Sequence, residues 1–163
     1  MSAPPAKLAD KTVLIIGRGT GIAGAIAQAV REAGGSVIAA GRSPDALADS
    51  YRGTGTRVER VDITDEDSIA ELAAIAGGVD HIVSTASARA RGGYADLTAP
   101  LVTASLAAKV IGPLLLAKHF AAKLPPDGSL LFMSGATALK PARQTVCHGG
   151  DQASWVDLPV VPD

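Results

Sequence analysis

Short, continuous apolar runs alternate along this chain with longer alanine-rich stretches, and the alternation predicts its elements. Thr12-Val13-Leu14-Ile15-Ile16 is unbroken up to Gly17, the pattern of a strand buried on both faces. From Gly21 the period changes: Ile22, Ile26, Ala29 and Val30 fall on one helical stripe, which Gly34-Gly35 should end. Ser36-Val37-Ile38-Ala39-Ala40 reads as a second buried strand. Ser43-Pro44-Asp45 reads as a helix start, with serine as N-cap and proline at the first helical position. Residues 57–62 alternate like an outer strand. Thr64 is then expected to cap a helix whose first turn carries Asp65, Glu66 and Asp67, acids that suit the positive dipole end.

Residues 79–83 predict a fourth strand. A helical region is expected from about residue 100 to residue 123, bent near Gly112-Pro113. Pro125-Pro126-Asp127-Gly128 predicts a turn, and Ser129-Leu130-Leu131-Phe132-Met133 a fifth strand. Strands that alternate with helices call for right-handed crossovers and helices on both faces. The expected fold is therefore α/β, a Rossmann-type doubly wound parallel sheet of five strands in the order 3-2-1-4-5. Residues 1–142 would form this domain. Residues 143–163 hold no sustained period, carry Pro159 and Pro162, and are expected to be an irregular tail.

Composition narrows the functional classes. At 163 residues, 47% hydrophobic and 19% charged, the chain suits one globular domain with a sizeable core. A formal net charge of −1 gives no basis for a nucleic-acid or anionic-membrane partner. The apolar stretches are interrupted by Gly, Lys or Arg, and no apolar leader core follows Ala3-Pro4-Pro5-Ala6, so neither a membrane span nor a secretory signal is expected. A lone cysteine, Cys147, has no internal disulfide partner, and a cytoplasmic location is expected. His81, His119 and His148 lack metal-ligand spacing, and no metal site is expected.

The chemistry concentrates in Gly17-Arg18-Gly19-Thr20-Gly21-Ile22-Ala23-Gly24, between the first strand and the first helix. Glycines at such a junction let helix-start amides approach a pyrophosphate. Two registers fit. Gly19-x-Gly21-x-x-Gly24 is the general dinucleotide fingerprint. Gly17-x-x-x-Gly21-x-Ala23 puts its first glycine at the strand end and is preferred. An acid that would hold an adenosine ribose should close the second strand about 20 residues on. Arg42 stands there instead, and with Arg18 it favours a 2′-phosphate, so NADP is expected over NAD.

Over about residues 8–141 the chain resembles the short-chain dehydrogenase/reductase family. Besides the glycine loop and Arg42, Asp62-Ile63 resembles the family's adenine-contacting position. Ser84-Thr85-Ala86-Ser87 sits where the family has Asn-Asn-Ala-Gly. Lys109-Val110-Ile111-Gly112-Pro113 is similar to a helical Asn-x-x-Gly segment, with Lys109 in place of Asn. Residues 128–135 resemble the strand leading to the catalytic serine, with Gly135 at that serine's usual place and Ser134 one residue early. The resemblance implies a carbonyl/alcohol oxidoreductase acting on a small molecule. It implies cofactor contacts at Gly17, Arg18, Gly19, Thr20, Gly21, Ile22, Arg42, Asp62, Ile63, Thr85, Ala86 and Ser87, and leaves Ser134 and Lys109 as candidate catalytic residues.

Family chemistry also needs a tyrosine to move a proton and a lysine four residues on to lower its pKa. Tyr51 and Tyr94 are the only tyrosines, followed four places later by Gly55 and Thr98. Conventional catalysis is therefore not expected of these residues. Three readings stay open: an NADP-dependent oxidoreductase represented by an incomplete chain, a non-catalytic nucleotide-binding or interaction module, and a chain whose tail from about Thr145 reflects a shifted reading frame. An uncovered fifth-strand edge and adjoining helix faces would favour a homo-oligomer.

Overall fold

The computed structural model of the chain describes residues 7–87 and 96–133. Strands β1 (Thr12–Ile16), β2 (Ser36–Gly41), β3 (Arg57–Arg60), β4 (His81–Ser84) and β5 (Ser129–Phe132) pair in parallel in the order β3-β2-β1-β4-β5. This is the expected doubly wound arrangement. Helices α1 (Gly21–Glu32), α2 (Pro44–Ser50) and α3 (Glu66–Ile75) join the first four strands. A longer helical run joins β4 to β5: α4 (Ala99–Leu106), a wide π turn over Ala107–Ile111, α5 (Gly112–Phe120) and a final 3-10 turn. The expected tail and the boundary at residue 142 lie outside the described residues.

Strand alternation divides the apolar side chains between two faces. Leu14 and Ile16 of β1 point into one core with Ile69 and Leu72 of α3 and Leu116 and Phe120 of α5. Val13 and Ile15 point into the other, with Ala23, Ala27 and Val30 of α1, Leu47 of α2 and Tyr51 at the C-cap of α2. The buried stripe of α1 thus differs from the expected one. Ala23 and Ala27 pack on the sheet because small side chains let the helix lie close, and Ile22 is 58% exposed at the helix start. The C-terminus of α1 closes as the glycine pair predicts, with Gly34 N–H donating to Arg31 O and Gly35 N–H to Val30 O.

Two helix starts also differ from the sequence reading. Asp65, not Thr64, caps α3, its carboxylate accepting from Asp67 N–H at 3.1 Å. Thr64 is turned the other way and donates its hydroxyl to Asp62 at 2.7 Å. Ser43 does occupy the N-cap position of α2 with Pro44 beyond it, yet makes no side-chain cap.

The bend expected near Gly112-Pro113 appears as the π turn. Proline has no N–H, and its ring crowds the carbonyl four residues back, here that of Lys109. Widening the preceding turn relieves both problems, and Gly112 N–H donates five residues back, to Ala107 O. The run Ala99–Lys123 has 25 residues and contains an 18-residue window of mean hydropathy 1.7, so by length and composition it is apolar enough to cross a membrane, where the sequence reading expected no span. Only Lys109 interrupts it before Lys118. A helix packed on a core passes the same test, and Leu116 and Phe120 are buried against the sheet.

Away from the carboxyl ends of the strands, a charged clip ties three elements together. Lys11 Nζ donates to Asp80 at 3.0 Å and to Asp127 at 2.9 Å, and Asp80 also accepts Thr12 N–H at 2.8 Å. The Thr12 amide first, and then Lys11, hold the Asp80 carboxyl below the usual carboxylate range. The hydrogen bonds that Lys11 donates to Asp127 and Asp80 hold it above its ordinary value. A depressed carboxyl stabilises the fold above its unfolded pKa and loses that contribution as pH falls through its folded one. A raised lysine contributes below its unfolded pKa and loses that as pH rises through its folded one. Stability should therefore decline on acidification below about pH 4. Asp80→Asn should flatten this acid limb in urea titrations between pH 3 and pH 7, and an unchanged slope would show that the clip contributes nothing.

Candidate functional site

In an open parallel sheet, the crevice forms beyond the carboxyl ends of the strands, where the strand order reverses. Here that point lies between β1 and β4, and a cleft of about 850 Å³ opens there. Gly17 follows β1 directly, and its N–H donates to Ala40 O at 2.9 Å, so the glycine loop is held against the end of β2. Thr85 N–H donates to Ile16 O at 2.8 Å and brings the residues after β4 to the same rim.

The loop's shape depends on two of its glycines. A Cβ on Gly19 would stand 2.4 Å from Ser50 Cβ, so α2 presses on the loop with room only for hydrogen. Gly21 opens α1 with φ +62°, a conformation costly for other residues, and has open space where a side chain would be. Ala23, in the position where the loop pattern needs close helix–sheet packing, is 2% exposed. A Cβ on Gly17 would stand 2.2 Å from Thr85 Oγ1 and one on Gly24 2.8 Å from Gly19 O, so glycines of both registers are required by packing. Thr20 at the N-cap makes no side-chain cap, and the first turn of α1 contains no acid. The first amides of a helix have no partners within it, so this start suits an anion approaching through the cleft.

The β2–β3 side of the cleft is charged. Arg42 follows β2, is exposed, and lines the cleft with Arg18, Asp62 and Ile63. Burial pushes the Asp62 carboxyl up, but the amide and hydroxyl of Thr64, with Arg42 and Arg60 nearby, outweigh it, and the net displacement is downward. Asp62 is thus an ionised acceptor, its Oδ1 holding Thr64 N–H at 3.0 Å. Thr85, Ala86 and Ser87 line the opposite, β4 side.

Of the residues expected at a cofactor, Gly17, Arg18, Gly19, Thr20, Ile22, Arg42, Asp62, Ile63, Thr85, Ala86 and Ser87 all line this one cleft, with Gly21 beside them at the start of α1. Lys109 does not line it. Its ammonium donates to Met133 O at 3.0 Å, just beyond β5. Ser134 lies outside the described residues, as does Tyr94. Tyr51 is 5% exposed within a core, with the Arg31 guanidinium 5.9 Å from its ring centre, and so is packed away from the cleft. His81 is bonded to Ser129 and His119 to Glu66.

The sequence reading missed the contribution of α2 and of Ala108. Ser43, Ala46, Leu47 and Ser50 all line the cleft. The adjacency of Ser43 to Arg42 was a usable signal for the first of these. Nothing local marks Ser50, because its nearness to Gly19 arises from how α2 lies across the sheet.

A sequence profile for the family described as enoyl-(acyl carrier protein) reductase matches residues 17–154. An uncharacterized oxidoreductase of Staphylococcus aureus (strain N315) is 35% identical over 86 residues, covering 48% of this chain and 37% of that protein. A short-chain type dehydrogenase/reductase from Mycobacterium ulcerans superposes with a TM-score of 0.80 at 27% identity, over 90% of this chain and 58% of that one. A 3-oxoacyl (acyl-carrier-protein) reductase from Agrobacterium tumefaciens C58, solved with NADP bound, gives a TM-score of 0.80 at 22% identity, over 91% of this chain and 62% of that one. The chain thus spans less than two thirds of the length of these relatives. With the profile matched over most of its residues, and the glycine loop, switch-point cleft and strand order in place, the chain belongs to the short-chain dehydrogenase/reductase family.

Proposed function

We propose that this chain binds NADP(H) in the switch-point cleft, in preference to NAD(H), as the cofactor domain of a cytoplasmic oxidoreductase acting on a small carbonyl or alcohol. The observation that carries the reading is Arg42. It lines the cleft where β2 ends, with Arg18 across the loop and no carboxylate at the position that would select a bare ribose. The α1 amides would face the pyrophosphate, Asp62 and Ile63 the adenine, and Thr85 to Ser87 the second half of the dinucleotide. When bound, the nicotinamide supplies or accepts a hydride, and the protein's part is to hold and orient it.

A second reading, a nucleotide-binding module without turnover, is favoured by the tyrosines. No Tyr-x-x-x-Lys occurs in these 163 residues, and Tyr51 is buried in a core. Loss of a proton-transfer group alone typically costs about 10²–10⁴-fold in rate. Fluorescence titration with NADPH and NADH, followed by cofactor oxidation across a carbonyl panel, tests both readings. The expected result is NADPH binding at least about 10-fold tighter than NADH, the worth of one charge-assisted contact, with negligible turnover by this chain. Equal affinities would defeat the cofactor assignment. Robust turnover would defeat the second reading.

We also propose that the chain self-associates through the outer face of its longest helical run. Leu101, Leu106, Ile111 and Leu114 are each more than 40% exposed there. No charged side chain occurs in residues 99–117 except Lys109, whose head is turned to Met133 O, so two copies can meet on this face without like-charge repulsion. Sedimentation across a concentration series should show a dimer or larger species, shifted to monomer by Ile111→Glu with Leu114→Glu. A monomer at every concentration would refute this.

A further inference from the structure

We infer that Lys109 is a binding residue for the reacting half of the dinucleotide, placed at the β4–β5 end of the cleft by the π turn. The inference rests on the NADP(H) reading and extends it to a residue outside the cleft's lining. Three observations converge on it.

The first is topological. Arg42 and Asp62 follow β2 and β3, so the adenosine half belongs on that side of β1. A dinucleotide crossing the switch point must send its other half toward β4 and β5. The second is the position of the ammonium. Met133 N–H donates to Ser84 O at 3.0 Å, which keeps the chain beyond β5 beside the chain beyond β4. Lys109 Nζ, partly buried and 3.0 Å from Met133 O, therefore sits at the carboxyl ends of these two strands, next to the segment that begins with Thr85.

The third is the backbone. The π turn over Ala107–Ile111 departs from α-helical winding beside the cleft, and Ala108, the neighbour of Lys109, lines the cleft. Wide turns of this kind recur at functional sites because they re-aim one or two side chains. An ammonium carries three N–H donors in a compact, strongly charged group. Its complement at that end is an oxygen-rich group, such as a ribose diol or a carboxamide oxygen.

The test compares two probes on the full chain: NADPH, which has both halves, and adenosine 2′,5′-bisphosphate, which has only the adenosine side. Lys109→Met should weaken NADPH about 10-fold or more, in keeping with the loss of a charged hydrogen bond, and leave the bisphosphate within about twofold. Lys109→Arg should restore most of the NADPH affinity, which a purely packing role would not require. NADPH affinity unchanged in Lys109→Met, or equal weakening of both probes, would overturn the inference. A wild-type chain that binds the bisphosphate but gains nothing from the second half would overturn it too. A wild-type chain that binds neither probe would refute the nucleotide reading itself, and this inference with it.

Discussion

Arg42→Ala is expected to weaken NADPH by about 10- to 100-fold while leaving NADH within about twofold. A charge-assisted bond to a phosphate contributes roughly 1.5–3 kcal/mol, and each 1.4 kcal/mol is about tenfold in affinity. The NADH arm isolates the 2′-phosphate, since the two cofactors differ only there. Arg42 is exposed and shares its field with Asp62, which draws on the same charge. The contact should therefore be screened, and the NADPH-to-NADH ratio should fall as salt rises through the range where the Debye length shrinks below about 10 Å. Arg18 lines the same cleft, so some preference should survive the single change and vanish in Arg18→Ala with Arg42→Ala. A ratio untouched by the double change would mean that the phosphate, if bound, lies elsewhere.

Phe120→Ala should be the most damaging single truncation in the core, at about 3–5 kcal/mol. Phe120 is 1% exposed at the end of α5, in the same core as Leu72, Ile82 and Leu116. Removing the ring leaves a cavity that the sheet below cannot collapse to fill, because β4 is paired on both sides. A domain of this size has only about 5–15 kcal/mol in total. Urea titration should therefore show the midpoint falling by a large fraction with little change in slope. Phe120→Leu, which keeps most of the volume, should cost less than about 1.5 kcal/mol. A cost below about 1 kcal/mol for the alanine variant would show that α5 is not held by this contact. Because α5 follows the π turn that bears Lys109, such a loss should also blunt NADPH binding.

The parallel, doubly covered sheet followed from the run lengths and from their alternation with helices. Uninterrupted β-branched runs such as Thr12–Ile16 need cover on both faces, and only alternating helices supply it. The glycine loop was equally visible, because a positive φ at Gly21 and the absence of side-chain room at Gly19 each leave a mark in residue type. Arg42 was legible for a similar reason: its place is counted along the chain from the loop.

What the sequence could not convey depends on how elements lie across one another. The stripe of α1 that faces the sheet is Ala23, Ala27 and Val30, because close approach rewards small residues over larger ones, a fact invisible to periodicity. Thr64 and Asp65 are both good caps, and the choice between them was made by Asp62, which takes the Thr64 hydroxyl for its own carboxylate. Ser50 meets Gly19 across 31 residues, and Lys109 meets Met133 across 24, and no local pattern encodes either meeting. The sequence by itself determined the elements, their parallel order and the anion-facing loop, because these follow from residue-scale sterics and from the burial that each run demands. The tertiary structure alone decided which side chains share the cleft, because that depends on packing angles and on the winding of the turn before Pro113, where the sequence marked a bend but not a π turn.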